Sequence, residues 1–226
     1  MTTKRICFIS DTHLLHDDVN IPACDVLVHS GDCLNSGKSI EFAIFLHWFS
    51  NLSQVKHKIL VAGNHDWVFQ LDSTYVKSEL KNYPDITYLQ DNGCIRDGIY
   101  FYGSPWQPAF CNWAFNVERL ALKPFWDKIP NDVDVLITHG PPRGILDVSP
   151  YDDGHLGCEF LRNRVEKIQP LVHSFGHIHH GYGSEVIGNT IFINASICNE
   201  QYEPVNSPIL VEFTIRGAIT KAEVLR

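Results

Sequence analysis

Basic residues are scarce in this chain: Lys and Arg number 18 against 26 Asp and Glu, for a net charge of −8. That excludes a broad cationic surface of the kind long nucleic acids need. No apolar stretch approaches the roughly 20 residues of a bilayer-spanning helix, so no membrane partner is expected. The N-terminus does not read as a secretory leader, because Asp11 and His13 interrupt the apolar run Ile6-Cys7-Phe8-Ile9 almost at once. No Cys-x-x-Cys pair occurs among the seven cysteines, an odd number, which predicts reduced thiols and a cytoplasmic protein. Ser/Gly-rich linkers, repeats and low-complexity tracts are also missing. The 226 residues are therefore read as one domain, 1–226, with an ordinary apolar content of 44%.

What the chain does have is a recurring unit: a short apolar run followed by a metal-ligand residue type. Ile6-Cys7-Phe8-Ile9 leads to Asp11 and His13, and Val26-Leu27-Val28 to Gly31-Asp32. Lys58-Ile59-Leu60-Val61 leads to Gly63-Asn64-His65-Asp66, and Val135-Leu136-Ile137 to Thr138-His139-Gly140-Pro141-Pro142. Leu171-Val172-His173-Ser174-Phe175 leads to Gly176-His177-Ile178-His179. Apolar runs of this length bounded by turn residues read as buried strands. Strands ending at one edge would gather Asp, Asn and His in one place.

Between these units, Ser39 to Leu52 is expected to be helical. Ile40, Ile44, Phe45, Trp48, Phe49 and Leu52 would form its apolar face. A second helix is expected within Trp67 to Lys81. A third runs from Gly157 to Gln169 and is stopped by Pro170. Ile95 to Tyr100, with Asp97-Gly98 at its turn, and Val186 to Ile191 read as hairpins. Ile209 to Ile215 and Ile219 to Leu225 read as a final strand pair around Arg216-Gly217. Two sheets face to face with helices outside satisfy this order.

The spacing carries chemistry. In an extended end segment, residues i and i+2 share a face, so Asp11 with His13, and His177 with His179, could each reach one cation. Gly31 would let the chain turn sharply at Asp32, whose two carboxylate oxygens can bridge two ions. Asn64 offers a neutral oxygen acceptable to hard divalent ions. The remaining histidines, among them His16, His29 and His173, lack ligand spacing and are expected to be structural.

Taken in order, D-x-H, G-D, G-N-H-D, H-G-P-P and G-H-x-H resemble the calcineurin-like metallophosphoesterase superfamily. Tyr102 to Trp106, Asn112 to Asn116, His180 to Gly183 and Ile193 to Ser196 are similar to its metallophosphoesterase-domain-containing phosphodiesterases. The likeness runs from about Ile6 to Phe213. It implies an α/β fold, a four-layer αββα sandwich of two mixed sheets. It also implies two divalent metal ions, with Mn2+ expected first and Fe, Zn or Mg acceptable. Asp11, His13, Asp32 and His179 would hold one ion, and Asp32, Asn64, His139 and His177 the other.

The implied function is a dinuclear metal-dependent phosphodiesterase. It would hydrolyse small phosphodiesters or nucleotides, cyclic nucleotides included, by in-line attack of a metal-bridging hydroxide. Asp32 and His65 would be the catalytic residues, with His65 facing the leaving oxygen as proton donor or clamp. Related phosphatases place a carboxylate three residues after the bridging Asp, then an Arg. Here those positions are Asn35 and Ser36, so either the His65 dyad is weakened or Asp66 substitutes as its partner. The missing Arg favours diesters over dianionic monoesters. Arg143, Asn35 and Trp106 are candidate substrate contacts. For the aromatic loop from Trp106 to Phe115, a hydrophobic cap over the core is the favoured reading and base stacking the other. A phosphomonoesterase or nuclease, or a nucleotide-binding regulatory protein, are the competing functions. The oligomeric state is open, a homodimer included.

Overall fold

Ile6 and Phe8 leave the first strand on one side and Cys7 and Ile9 on the other, yet all four are fully buried. A strand covered on both faces must lie inside a layered structure. The computed structural model describes residues 2–150, 154–216 and 218–225. Its first sheet has six strands. Four are parallel: β1 (Thr2–Ile9), β2 (Cys24–His29), β3 (Val55–Leu60) and β4 (Ile86–Tyr88). The second also has six, with β5 (Asn92–Arg96) at one edge and β6 (Ile99–Ser104) beside it. Residues 107–117 form a small parallel ribbon of β7 (Gln107–Pro108) and β8 (Asn116–Val117). β9 (Val135–Thr138), β10 (Val172–Phe175), β11 (Gly183–Ile187) and β12 (Thr190–Asn194) complete the second sheet in the order β11-β12-β10-β9-β6-β5. β13 (Ile209–Arg216) pairs antiparallel with β1, and β14 (Ala218–Leu225) pairs antiparallel with β13 at the edge. Gly217 of the expected final turn lies outside the described residues.

Three apolar layers follow from the alternation of side chains. Ile6, Phe8, Val26, Val28 and Ile59 meet Phe101, Val135, Ile137, Val172 and Ile193 between the sheets. On the outer face of the first sheet, Cys7, Ile9, Leu27 and Leu60 pack under helices. On the outer face of the second, Leu136, Phe175 and Phe192 pack against Trp126, Leu161 and Val165. The chain is thus an α/β fold of two mixed sheets with flanking helices, as the motif order implied. Among the described residues, no helix is long and apolar enough to cross a membrane.

The helices differ from expectation in instructive ways. The first, α1 (Ser39–Ser50), buries Phe42, Phe45, Leu46 and Phe49, while Ile40 and Ile44 are 64% and 50% exposed. The i, i+3, i+4, i+7 stripe of large residues wins the core, because aromatic rings bury more area than Ile. The expected helix within 67–81 is two helices, α2 (Trp67–Leu71) and α3 (Ser73–Leu80). Asp72 breaks it, and its carboxylate accepts from Tyr75 N at 3.0 Å as an N-cap. A short α4 (Lys123–Trp126) was not legible in the sequence, while α5 (Glu159–Ile168) ends as expected before Pro170, with Gln169 left-handed. Asp97 and Gly98 both have positive φ, which fits the tight β5–β6 turn.

The parallel strands of both sheets finish on one rim. There Ser10 pairs with Ser196, Ser10 N donates to Ala195 O at 2.8 Å, and Ser30 and Ser174 hydroxyls meet at 2.8 Å. These links bring the ends of the two sheets together.

Candidate metal centre

Backbone conformation at the rim aims the side chains. Asp11, His13, Asp32 and His177 all have left-handed φ, between 45° and 68°. Non-glycine residues rarely adopt such a conformation, and it concentrates at functional sites. The segments carrying Asp11 with His13, and His177 with His179, are therefore not extended. The shared-face expectation has the wrong geometry, and His179 sits in a 3-10 turn, His179–Gly181. Two tight turns, rather than a strand repeat, point each pair inward. Gly31 has φ +112°, and a Cβ there would collide with the His139 ring, so only glycine lets the strand end pass so close.

The result is three overlapping clusters, each with ligand atoms within 4.8 Å of one another: Asp11, His13 and His179; His13, Asp32 and His65; Asp32, His139 and His177. Asn64 joins the last, its Oδ1 lying 2.8 Å from His139 Nε2. Asp32 stands between the groups, 3.4 Å from His139 Nε2 and 4.0 Å from His13 Nε2. The structure thus brings together Asp11, His13, Asp32, Asn64, His65, His139, His177 and His179 from the segments that follow β1, β2, β3, β9 and β10.

Hydrogen bonds at the back of the rings fix which nitrogen faces the centre. His139 Nδ1 lies 3.1 Å from the carbonyl of Ser30, and His179 Nδ1 2.8 Å from the carbonyl of Asn199. A carbonyl only accepts, so both Nδ1 atoms carry protons and both Nε2 atoms turn inward. There His179 Nε2 is 3.4 Å from His13 Nε2 and 3.4 Å from an Asp11 oxygen. His13 Nδ1 is buried with no hydrogen-bond partner among the described residues. Inward lone pairs, two carboxylates and an amide oxygen form a donor set that suits divalent cations.

The electrostatics agree. Burial pushes His13 down to about 4 and His177 to about 3, which keeps both neutral, the form a metal ligand needs. Burial opposes ionisation of Asp11 and Asp32, yet His179 and His139 respectively hold them below the usual carboxylate range. Burial also opposes charge on His139, but Asp32, then Asp11 and the Ser30 carbonyl, lift it to about 9. A bound cation would take the place of that proton.

Backbone and hydroxyl donors brace the carboxylates. Ser196 Oγ donates to Asp11 at 2.9 Å, and the His177 N–H points at both Asp11 oxygens. His65 N donates to Asp32 Oδ1 at 2.7 Å. The imidazole of His65 is held differently from expectation. Its Nδ1 donates to the backbone carbonyl of Asn35 at 2.6 Å, while the Asn35 side chain is exposed. Asp66 is not its partner. That carboxylate accepts from Gly63 N at 2.8 Å and Leu34 N at 2.9 Å, which ties two strand-end loops together. Burial and the charge of Asp32 raise it to about 7.

A cleft of about 550 Å³ opens over Asp32, Asn64, His65, His177 and His179. The aromatic loop divides there. Trp106 faces inward against Phe115 and Phe125 and donates from Nε1 to Asp91 at 2.9 Å, whereas Phe110 and Trp113 line the cleft. Arg143 is exposed, its guanidinium on the His155 carbonyl at 2.9 Å, and it does not line the cleft. Arg119 and Tyr202 do line it and were not legible as site residues. Tyr202 lies past β12, with its ring 4.8 Å from His13. Its position by sequence gave no signal, because only the chain's return across the rim brings it there.

An α/β sandwich that gathers Asp, Asn and His at its strand ends is a scaffold suited to binding divalent metal. The family model for calcineurin-like phosphoesterases matches residues 4–181. Human Metallophosphoesterase domain-containing protein 1 is 39% identical over 232 residues, covering 93% of this chain and 71% of that protein. The chain belongs to this family of metal-dependent phosphoesterases. Two solved structures share the fold at 14% identity. The phosphopantetheinyl hydrolase of Mycobacterium tuberculosis has a TM-score of 0.55, with 87% of this chain and 90% of that one covered. The 5′-nucleotidase precursor of Thermus thermophilus has a TM-score of 0.53, with 99% of this chain and 54% of that one covered.

Proposed function

We propose that this metal-dependent phosphoesterase is a phosphodiesterase acting on small diesters, with cyclic nucleotides in its substrate class. The observation that carries the reading is that, among the described residues, no free cationic clamp stands beside the candidate ligands. At the position where a phosphatase Arg would stand, the Ser36 hydroxyl and the amides of Asn35, Ser36 and Gly37 all turn to Glu41. Arg119 lines the cleft, but its guanidinium is held by Glu159 at 2.8 Å and by the carbonyls of Gly157 and Leu156. A dianionic monoester gains most from a bidentate Arg, and a monoanionic diester needs it least. Phe110, Trp113, Pro108 and Tyr202 on the cleft walls suit the second ester group of such a substrate.

Asp11, His13, Asp32 and His179 would hold one divalent ion, and Asp32, Asn64, His139 and His177 a second, with Mn2+ the first choice. When bound, such a pair polarises the phosphate and makes water a nucleophile near neutral pH. The protein's own part is positional. Asp32, braced by the His65 amide, faces both ligand groups. His65 keeps its Nδ1 proton on Asn35 O, so Nε2 is the atom that, when the ring carries a second proton as imidazolium, would deliver it to the leaving oxygen. Metal-free protein reconstituted with Mn2+ should turn over bis(p-nitrophenyl) phosphate at least about tenfold faster than p-nitrophenyl phosphate, a ratio worth about 1.4 kcal/mol. A monoester preference would make it a phosphomonoesterase, and no turnover with nucleotide binding intact would make it a regulatory binder.

A further inference from the structure

Among the described residues no carboxylate hydrogen-bonds the His65 imidazole, whose Nδ1 donates instead to Asn35 O at 2.6 Å. A second constraint comes from the opposite side. The indole of Trp113 lies face to face with the imidazole, with centroids 4.2 Å apart and planes 30° from parallel. The edge of His13 closes a third side at 4.7 Å and 80°. The ring of His65 is thus held at one atom, on one face and against one edge.

Trp113 is itself fixed to the segment it braces. Ala114 N donates to the carbonyl of Asn64, the residue before His65, at 3.1 Å. Phe115 N donates to Gln70 Oε1 at 2.6 Å, and the buried Phe115 ring locks the loop under Trp106. The β7–β8 ribbon closes the base of the loop, with Gln107 Nε2 reaching Asn116 Oδ1 at 3.2 Å. The loop therefore grips Asn64 through the backbone and His65 through the stack.

We propose that Trp113 is the positioning residue for His65, in place of a charged partner. Stacking fixes the plane of the imidazole, the Asn35 carbonyl fixes its tautomer, and together they aim Nε2 into the cleft. This rests on the reading of His65 as donor to the leaving oxygen, but its structural half can be tested separately.

The experiment compares wild type, Trp113→Ala, Trp113→Phe and His65→Ala, each loaded with Mn2+ and with bound metal measured. The substrates are two methyl aryl phosphodiesters, one with a p-nitrophenolate leaving group and one with phenolate. Crystal structures of the first two give the His65 ring orientation. Trp113→Ala should lower kcat on the phenyl ester by about 10²-fold, the low end for lost acid–base catalysis. The nitrophenyl ester should lose less than about threefold, metal content should hold, and Trp113→Phe should restore most of the loss. The His65 ring should rotate off the Asn35 carbonyl or split between two orientations. An unmoved ring in Trp113→Ala overturns the inference whatever the kinetics, and so does an equal loss on both esters with His65→Ala still selective. If His65→Ala itself shows no leaving-group dependence, the donor role falls, and the ring orientation alone decides whether Trp113 positions His65.

Discussion

His139 Nε2 lies 2.8 Å from Asn64 Oδ1 across the seam between the two sheets. The other nitrogen of the ring is committed to the Ser30 carbonyl, so this contact joins a candidate ligand of one sheet to a candidate ligand of the other. A cation held there would be held by both sheets at once. Asn64→Ala should therefore cost at least about a hundredfold in turnover, the upper end for loss of even an outer partner of a metal ligand. Turnover with added Mn2+, together with bound metal after gel filtration, checks it.

Gly63 sits against the same seam. A Cβ there would run into the Asp32 carboxylate, the Asp32 amide and the His139 ring. Gly63→Ala should weaken metal retention about 10–100-fold by displacing Asp32, with the sheets left intact. Metal content after dialysis, alongside an unchanged far-UV circular dichroism spectrum, is the measurement.

Two buried histidines outside the ligand set predict acid sensitivity. His29 donates from Nε2 to Thr12 Oγ1 at 3.0 Å, and its Nδ1 accepts from Gly31 N at 3.3 Å. His173 Nε2 lies 2.9 Å from Thr138 Oγ1, and its Nδ1 is buried with no hydrogen-bond partner among the described residues. Burial lowers each to about 3 from an ordinary 6.5. Both are neutral in the fold and take up a proton on unfolding. Their stabilisation is complete above about pH 6.5 and is lost as pH falls toward about 3. The urea midpoint should drop steadily across that window, and His173→Gln should flatten the slope.

The buried stripe of α1 makes a paired prediction. Phe45 is fully buried, with its ring 5.0 Å from Phe49, while Ile44 beside it is half exposed. Phe45→Ala should destabilise by about 3–5 kcal/mol, and Ile44→Ala by no more than about 0.5 kcal/mol. Chemical denaturation of the two variants separates the faces.

Much of the architecture was legible because strand ends and ligand types coincide. The five apolar runs lie in or at the ends of β1, β2, β3, β9 and β10, and the residues after them converge on the rim. The reason they converge was not legible, since left-handed turns at Asp11, His13 and His177 replace the extended spacing. Local polarity patterns do not encode φ. The apolar face of α1 was misjudged because Ile40 and Ile44 match the helical period as well as Phe42 and Leu46 do. The larger area of the aromatic rings, set against the sheet beneath, decides which stripe is covered. The surroundings of His65 were hidden for another reason. Its hydrogen-bond partner is a backbone carbonyl, which any residue at position 35 would supply. Trp113 and Tyr202 arrive from segments about 50 and 140 residues away, a separation that periodicity cannot bridge.

Hydrolysis by the proposed route would need the strand-end residues to hold two divalent ions, with Asp32 serving both. Calorimetric titration of metal-free protein with Mn2+ tests it most directly. The wild-type chain should bind about two equivalents, and Asp32→Asn should weaken both. Saturation at a single equivalent, or an Asp32→Asn titration that matches wild type, would contradict it.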